Sequence, residues 1–241
     1  MPTLLRKILR RALRPAARIY YSLLFGRRFP GAAAGERWMR RLEALGSGGD
    51  LPLSRESWEE QYRAGRWSCL RSADELARYG VVLALLTHGA GARTILDVGC
   101  GEAILRDLLP ADRYDRYVGV DLSAAAIATA RAGARPQDRL VVADAESWAP
   151  EEGFDAVVMN ECLYYFHDPL AQAGRYFAAA REGGVLLVSM FESPRTRAIL
   201  RALGGRLPAL ERVRVTGARG TWSVAVFRRP TAGSPTAPTP R

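Results

Sequence analysis

Lysine is almost missing from this chain: Lys7 is the only one among 35 basic residues. Arginine in its place, together with abundant alanine, points to a GC-rich bacterial genome more than to a function. Cysteine is also scarce. Cys69, Cys100 and Cys162 lie far apart with no paired ligand spacing. That argues against a disulfide framework or a structural zinc site and makes a reducing cytoplasm the default. No metal is expected. No apolar run approaches the roughly 20 residues needed to span a bilayer, and there is no internal repeat. Acids are absent from the start of the chain; the first is Glu36.

What is present is 241 residues, 48% hydrophobic and 25% charged, enough for one ordinary α/β domain with extra sequence at its ends. The net charge of +10 is unevenly spread. Arg6, Lys7, Arg10, Arg11, Arg14, Arg18, Arg27 and Arg28 put +8 of it before the first acid. Residues 1–30 therefore form a basic arm, and its apolar residues (Leu4, Leu5, Ile8, Leu9, Leu13, Ile19, Tyr20, Leu23, Leu24) fall on one broad helical stripe. Pro15 is expected to kink it. The run Ile19–Phe25 is short for a signal core and has arginines on both sides, so a cleaved signal is not expected. Such an arm either packs on the domain or a partner, or lies at an anionic membrane surface. A nucleic-acid partner is not expected, since a phosphate-binding tail would be mostly polar.

Residues 31–56, with "GSGGDLPLS", read as a linker around a short helix at Glu36–Leu45. Residues 57–229 carry the domain, and 230–241 ("TAGSPTAPTP" and its flanks) form a tail too polar to build a core. Ser54 looks like a helix N-cap, with Ser57 as the alternative. A helical pattern then runs from Ser72 to Thr87 through Leu76, Tyr79, Val82, Leu83 and Leu86. Strands are expected at Thr94–Val98, Tyr117–Asp121, Arg139–Ala143, Phe154–Asn160 and Val185–Phe191. Helices are expected at Glu102–Leu109, Ala124–Ala132, Asp168–Ala180 and Thr196–Leu203. Glu211–Thr216 and Thr221–Arg228 close the chain as a hairpin through "GARG". The alternation implies a doubly wound, Rossmann-like α/β fold: seven strands, mostly parallel, with an antiparallel C-terminal hairpin.

In such a sheet the ligand lies beyond the carboxyl ends of the strands, near the switch point. "ILDVGCGEA" puts Gly99-Cys100-Gly101 there, where glycine lets a ligand approach the backbone. Dinucleotides and S-adenosylmethionine both use such a turn. The dinucleotide fingerprint G-x-G-x-x-G fails at Ile104. Asp97 would also repel a pyrophosphate, whereas it suits a ligand bearing an ammonium and a sulfonium. S-adenosylmethionine is the better fit.

"LDVGCGEA" resembles motif I of the class I S-adenosylmethionine-dependent methyltransferases, D-x-G-x-G-x-G, with Ala103 in place of the last glycine. "YVGVDLS", "VVADAESW", "FDAVVMNECLYYF" and "REGGVLLVS" follow in family order. The resemblance covers about Ser57 to Arg228. It implies cofactor contacts from Asp97, Gly99 and Gly101, from Asp121 and Leu122 at the ribose, from Asp144 and Ala145 at the adenine with Trp148 nearby, and from Asn160 at the methionine part. "WEEQYRAGRWSCL" is similar to the W-x-x-x-Y-x-x-G-x-W opening of some small-molecule methyltransferases, including relatives of a nodulation N-methyltransferase. In those enzymes an N-terminal segment folds over the cofactor, which makes Tyr62 and Arg71 candidates to touch its methionine end. The alternative is that these aromatics only pack the preceding helix onto the sheet.

Methyl transfer requires the acceptor to be positioned and water excluded, with a base only when the acceptor must lose a proton early. The candidates follow the fourth strand: Glu161, Tyr164 and His167. His167 is one of two histidines and is either a general base or a surface histidine before the helix; Asp168 reads as that helix's cap with Pro169 after it. His88 reads as structural, and Cys100 has no nucleophilic role. The reading is a cytoplasmic methyltransferase acting on a small molecule or glycan, with residues 1–30 offering peripheral contact with the inner face of the membrane. The alternatives are a non-catalytic S-adenosylmethionine-binding or scaffold protein and a nicotinamide-dependent oxidoreductase.

Overall fold

The computed structural model describes residues 54–150, 153–217 and 220–231; the basic arm, nearly all of the linker and the polar tail lie outside them. Helix α1 (Arg55–Arg63) begins where Ser54 caps it, its side chain accepting from the Ser57 N–H at 3.3 Å. Helix α2 (Ala73–Ala84) runs on into a π-helical turn, Leu85–Gly89. Then come β1 (Thr94–Val98), α3 (Ile104–Leu108), β2 (Arg116–Asp121), α4 (Ala124–Ala132), β3 (Asp138–Val142), β4 (Phe154–Asn160), α5 (Pro169–Ala179), β5 (Ala180–Phe191), α6 (Pro194–Gly204), β6 (Ala209–Gly217) and β7 (Gly220–Arg228).

The seven strands form one sheet in the order β3-β2-β1-β4-β5-β7-β6. All neighbouring pairs are parallel until β7, which runs antiparallel to β5 and to β6. Successive residues of the central strands enter opposite layers. Ile95 joins Tyr79, Val82, Leu86 and Ile127 on one side; Leu96 joins Leu163, Tyr176 and Leu200 on the other. Both faces are therefore covered, which is why β1, β4 and the Val185–Phe191 part of β5 are mostly apolar. The chain reverses its winding between β1 and β4, and the carboxyl ends of those strands open the crevice.

Three local expectations needed correction. The helix expected from Glu102 starts at Ile104, because Ala103 takes the left-handed conformation at φ 57°. The fifth strand begins five residues early, at Ala180 instead of Val185. On α2 and its continuation Tyr79, Val82 and Leu86 are buried as expected, but Leu76 is 41% exposed and the charged Glu75 and Arg78 point inward.

Candidate active site

β1 delivers Asp97 to the crevice and ends there. Gly99 and Gly101 both have positive φ, 68° and 55°. A Cβ on Gly99 would stand 2.7 Å from Cys162 Cβ, and one on Gly101 would stand 2.6 Å from the Tyr62 hydroxyl. The turn therefore needs glycine for space as well as for conformation. Asp97 is 2% exposed. Its Oδ2 accepts from the Tyr117 hydroxyl at 2.7 Å, while its Oδ1 is buried with no partner. Burial pushes its carboxyl up to about 7; the Tyr117 bond opposes the rise and the nearby Asp121 charge adds to it.

Asp121 ends β2 and ties the glycine turn down. Its Oδ2 accepts from Gly101 N–H at 2.8 Å and its Oδ1 from Ser123 N–H at 2.9 Å. Burial raises this acid too, against those backbone donors. The carbonyl of Leu122 accepts from Arg55 at 3.2 Å. Glu59 of α1 accepts from Ser123 Oγ at 2.7 Å and from Ala125 N–H at 3.1 Å, so it caps α4 from another helix. These bonds hold α1 beside the turn. Tyr62, Trp58 and Trp67 stack there at centroid distances of 5.6–6.4 Å, and Trp58 meets Tyr165 edge-on at 4.9 Å.

After β3, Asp144 is exposed and turns the chain by accepting from Glu146 N–H at 2.9 Å. The Ala145 carbonyl accepts from Tyr176 Oη at 2.8 Å and from Arg175; the Trp148 carbonyl accepts from Arg175 at 2.8 Å. Helix α5 thus fixes this loop.

At the end of β4, the Asn160 side chain accepts from Arg78, which also holds Glu75 at 2.9 Å. Glu161 is left-handed at φ 59°, a strained conformation for a side-chain-bearing residue. That twist aims its carboxylate inward, where it accepts from Tyr164 Oη and Phe191 N–H at 3.1 Å each, with Ser189 Oγ at 3.4 Å. Burial lifts Glu161 to about 7, held back by the Arg78 charge. A buried carboxyl that titrates near neutrality can take a proton from a reacting group.

A family profile described as "Methyltransferase domain" matches residues 70–220. The chain belongs to that family. Trans-aconitate 2-methyltransferase of Delftia acidovorans (strain DSM 14801 / SPH-1) is 36% identical over 126 residues, 50% of this chain and 46% of the relative. The chain thus spans about half the length of the curated relatives it matches. Among solved structures, N-methyltransferase NodS of Bradyrhizobium japonicum WM9 with S-adenosyl-L-homocysteine has a TM-score of 0.66 at 22% identity, covering 75% of this chain and 100% of that one. The 1,6-didemethyltoxoflavin-N1-methyltransferase of Burkholderia thailandensis follows at 0.60 and 21%, covering 75% and 93%. These two likenesses establish the fold.

The methyltransferase domain brings Tyr62, Asp97, Gly99, Gly101, Asp121, Asn160, Glu161 and Tyr164 to one end of the sheet. Its residues fit S-adenosylmethionine: the unpartnered Asp97 oxygen suits an ammonium, and the paired backbone donors leave Asp121 further lone pairs for hydroxyls. Arg71 is directed elsewhere, to Asp107 at 3.0 Å and Glu102 at 3.7 Å. His167 is also apart. It is 71% exposed, and Nδ1 lies 2.8–2.9 Å from both Glu146 oxygens. Asp168 caps α5 through Leu170 and Ala171 N–H, with Pro169 first in the helix. Sequence reasoning missed Arg78 and Glu75 because a charged pair on a helix reads as a solvated face. Their spacing of three residues beside Tyr79 and Val82 was the available signal. Among the described residues no cluster could hold a metal, and no helix is long and apolar enough to cross a membrane.

Proposed function

We propose that this chain is an S-adenosylmethionine-dependent methyltransferase that acts on a small molecule or glycan through a hydroxyl or amine. The observation that carries the reading is Asp97: a buried carboxylate oxygen without a partner, set against a turn of two positive-φ glycines. Bound S-adenosylmethionine supplies a methyl group on a sulfonium, already an excellent leaving arrangement. The chain then has to bind, orient and exclude water. Asp97 and Asn160 take the amino-acid end, Asp121 and Leu122 the ribose, and Asp144 and Ala145 the adenine. Tyr62 and its aromatic neighbours cover the turn.

Glu161 is the proton acceptor in this reading, and Tyr164 orients it. Its burial and its elevated affinity for a proton support that role over His167, which is exposed and engaged by Glu146. Isothermal titration with S-adenosylmethionine and S-adenosylhomocysteine tests the fold-level assignment, and no binding of either would end it. A labelled-methyl screen over amino sugars, glycolipids, phenolic metabolites and trans-aconitate then seeks the acceptor, with Asp97→Ala as the blank. With the acceptor in hand, Glu161→Gln is expected to lose far more turnover than His167→Gln; the reverse order transfers the role to His167.

The basic residues of the arm support a membrane-proximal acceptor, a glycolipid above all, with the enzyme in the cytoplasm at the inner face of the membrane.

A further inference from the structure

We propose that Tyr117 is a positioning residue for the methyl donor: it holds one oxygen of Asp97 so that the other is presented, ionised, to the donor's ammonium. The inference rests on the functional reading above. Its geometry comes from adjacent strands. Asp97 of β1 sits opposite Gly119 of β2, and Tyr117 lies two residues before Gly119 on the same face. A Cβ at Gly119 would meet Cys100 Sγ at 2.8 Å, Leu140 Cδ2 at 2.9 Å and Tyr117 Cε1 at 3.0 Å. The missing side chain is therefore the space the tyrosine ring crosses to reach Asp97. The ring is fully buried and packs against Tyr114 at 6.3 Å. Its hydroxyl donates to Oδ2 at 2.7 Å, while Oδ1 has no partner.

The titratable groups around Asp97 are Tyr117 and Asp121 from β2, Tyr79 from α2, Cys100 in the glycine turn and Cys162 after β4. Burial raises both thiols and both phenols, so they stay protonated at neutral pH. The Asp121 charge disfavours ionisation of Asp97; Arg106 bears on Tyr117 and Cys100 instead. Tyr117 is thus the neighbour that favours the carboxylate, because a donor to the charged form stabilises it. An ammonium binds that form, so donor affinity rises with pH through about 7.

The test is the pH dependence of S-adenosylhomocysteine binding between about pH 6 and about pH 8.5, with 5′-methylthioadenosine, which lacks the amino-acid end, as reference. In Tyr117→Phe the midpoint is expected to move up by about one pH unit. Affinity then falls about tenfold near pH 6 and hardly changes near pH 8.5, while methylthioadenosine binding is unaltered. Site-specific 3-fluorotyrosine at 117, a stronger donor, is expected to shift the midpoint downward and keeps the question open to measurement if the phenylalanine variant does not fold. An equal loss at every pH, or no shift with either replacement, overturns the positioning role. Failure of the parent chain to bind S-adenosylhomocysteine at all overturns the functional reading instead.

Discussion

The two glycines of the turn are not equivalent. A Cβ at position 99 would press on Cys162 Cβ, an atom fixed to its backbone, whereas one at 101 would press on the Tyr62 hydroxyl, the end of a side chain that can swing away. Each alanine also takes a left-handed conformation costing about 1–2 kcal/mol. Gly99→Ala is therefore expected to destabilise by about 2–3 kcal/mol, and Gly101→Ala by less, about 1–2 kcal/mol, with its main loss in cofactor affinity as Tyr62 is displaced. Urea unfolding beside a titration separates the two; equal stability losses would contradict the argument. Glu161 makes a second prediction. Its folded pKa, about 7, lies above the ordinary 4.5, so between these values the folded state binds the extra proton. Its contribution to stability is thus greatest below about 4.5 and falls as pH rises through about 7. Glu161→Gln removes that penalty. The variant is expected to be more stable than the parent at pH 8 by on the order of 2 kcal/mol, with the gap closing towards pH 5, even though its turnover is lost. Denaturant midpoints at the two pH values check it.

Among the elements, α1 is the one whose position depends on few groups. It buries no residue completely, and its ties include Glu59 to Ser123 and Ala125, Arg55 to the Leu122 carbonyl, and the aromatic contacts of Trp58 and Tyr62. Glu59→Ala is expected to raise amide exchange in Arg55–Arg63 about tenfold while the sheet stays protected, and to weaken cofactor binding. Unchanged exchange would mean that the aromatic contacts and the Arg55 bond hold the helix without Glu59. Two central strands, by contrast, were legible to the residue: Thr94–Val98 and Phe154–Asn160 are strands as expected, because doubly buried parallel strands are mostly apolar. The caps Ser54 and Asp168 were legible for a related reason, since few residue types satisfy free N–H groups. What could not be read is equally specific. Ala103 and Glu161 adopt left-handed backbone that their residue types do not announce. Arg78 is completely buried through partners 3 and 82 positions away. Glu161 and Arg78 lie at the candidate site, and functional sites are where local sequence rules are expected to fail.

For the whole molecule, the distribution of charge leads to the last prediction. Eight basic residues and no acid precede Glu36, leaving +2 of the net +10 for everything that follows. Attraction to an anionic surface is worth about 1 kcal/mol per basic residue held near it and decays over a Debye length of about 8 Å at physiological salt. The apolar stripe of residues 4–24 would add burial at the headgroup boundary, which salt does not screen. The full chain is therefore expected to co-sediment with phosphatidylserine-containing vesicles at low salt, to be largely released at about 0.5 M salt, and to ignore vesicles of phosphatidylcholine alone. Deleting residues 1–30 should abolish co-sedimentation and leave S-adenosylhomocysteine affinity intact, because the proposed cofactor contacts begin at Tyr62. A deletion variant that binds vesicles as well as the full chain would remove the membrane from the proposal and leave the acceptor to be sought among water-soluble metabolites.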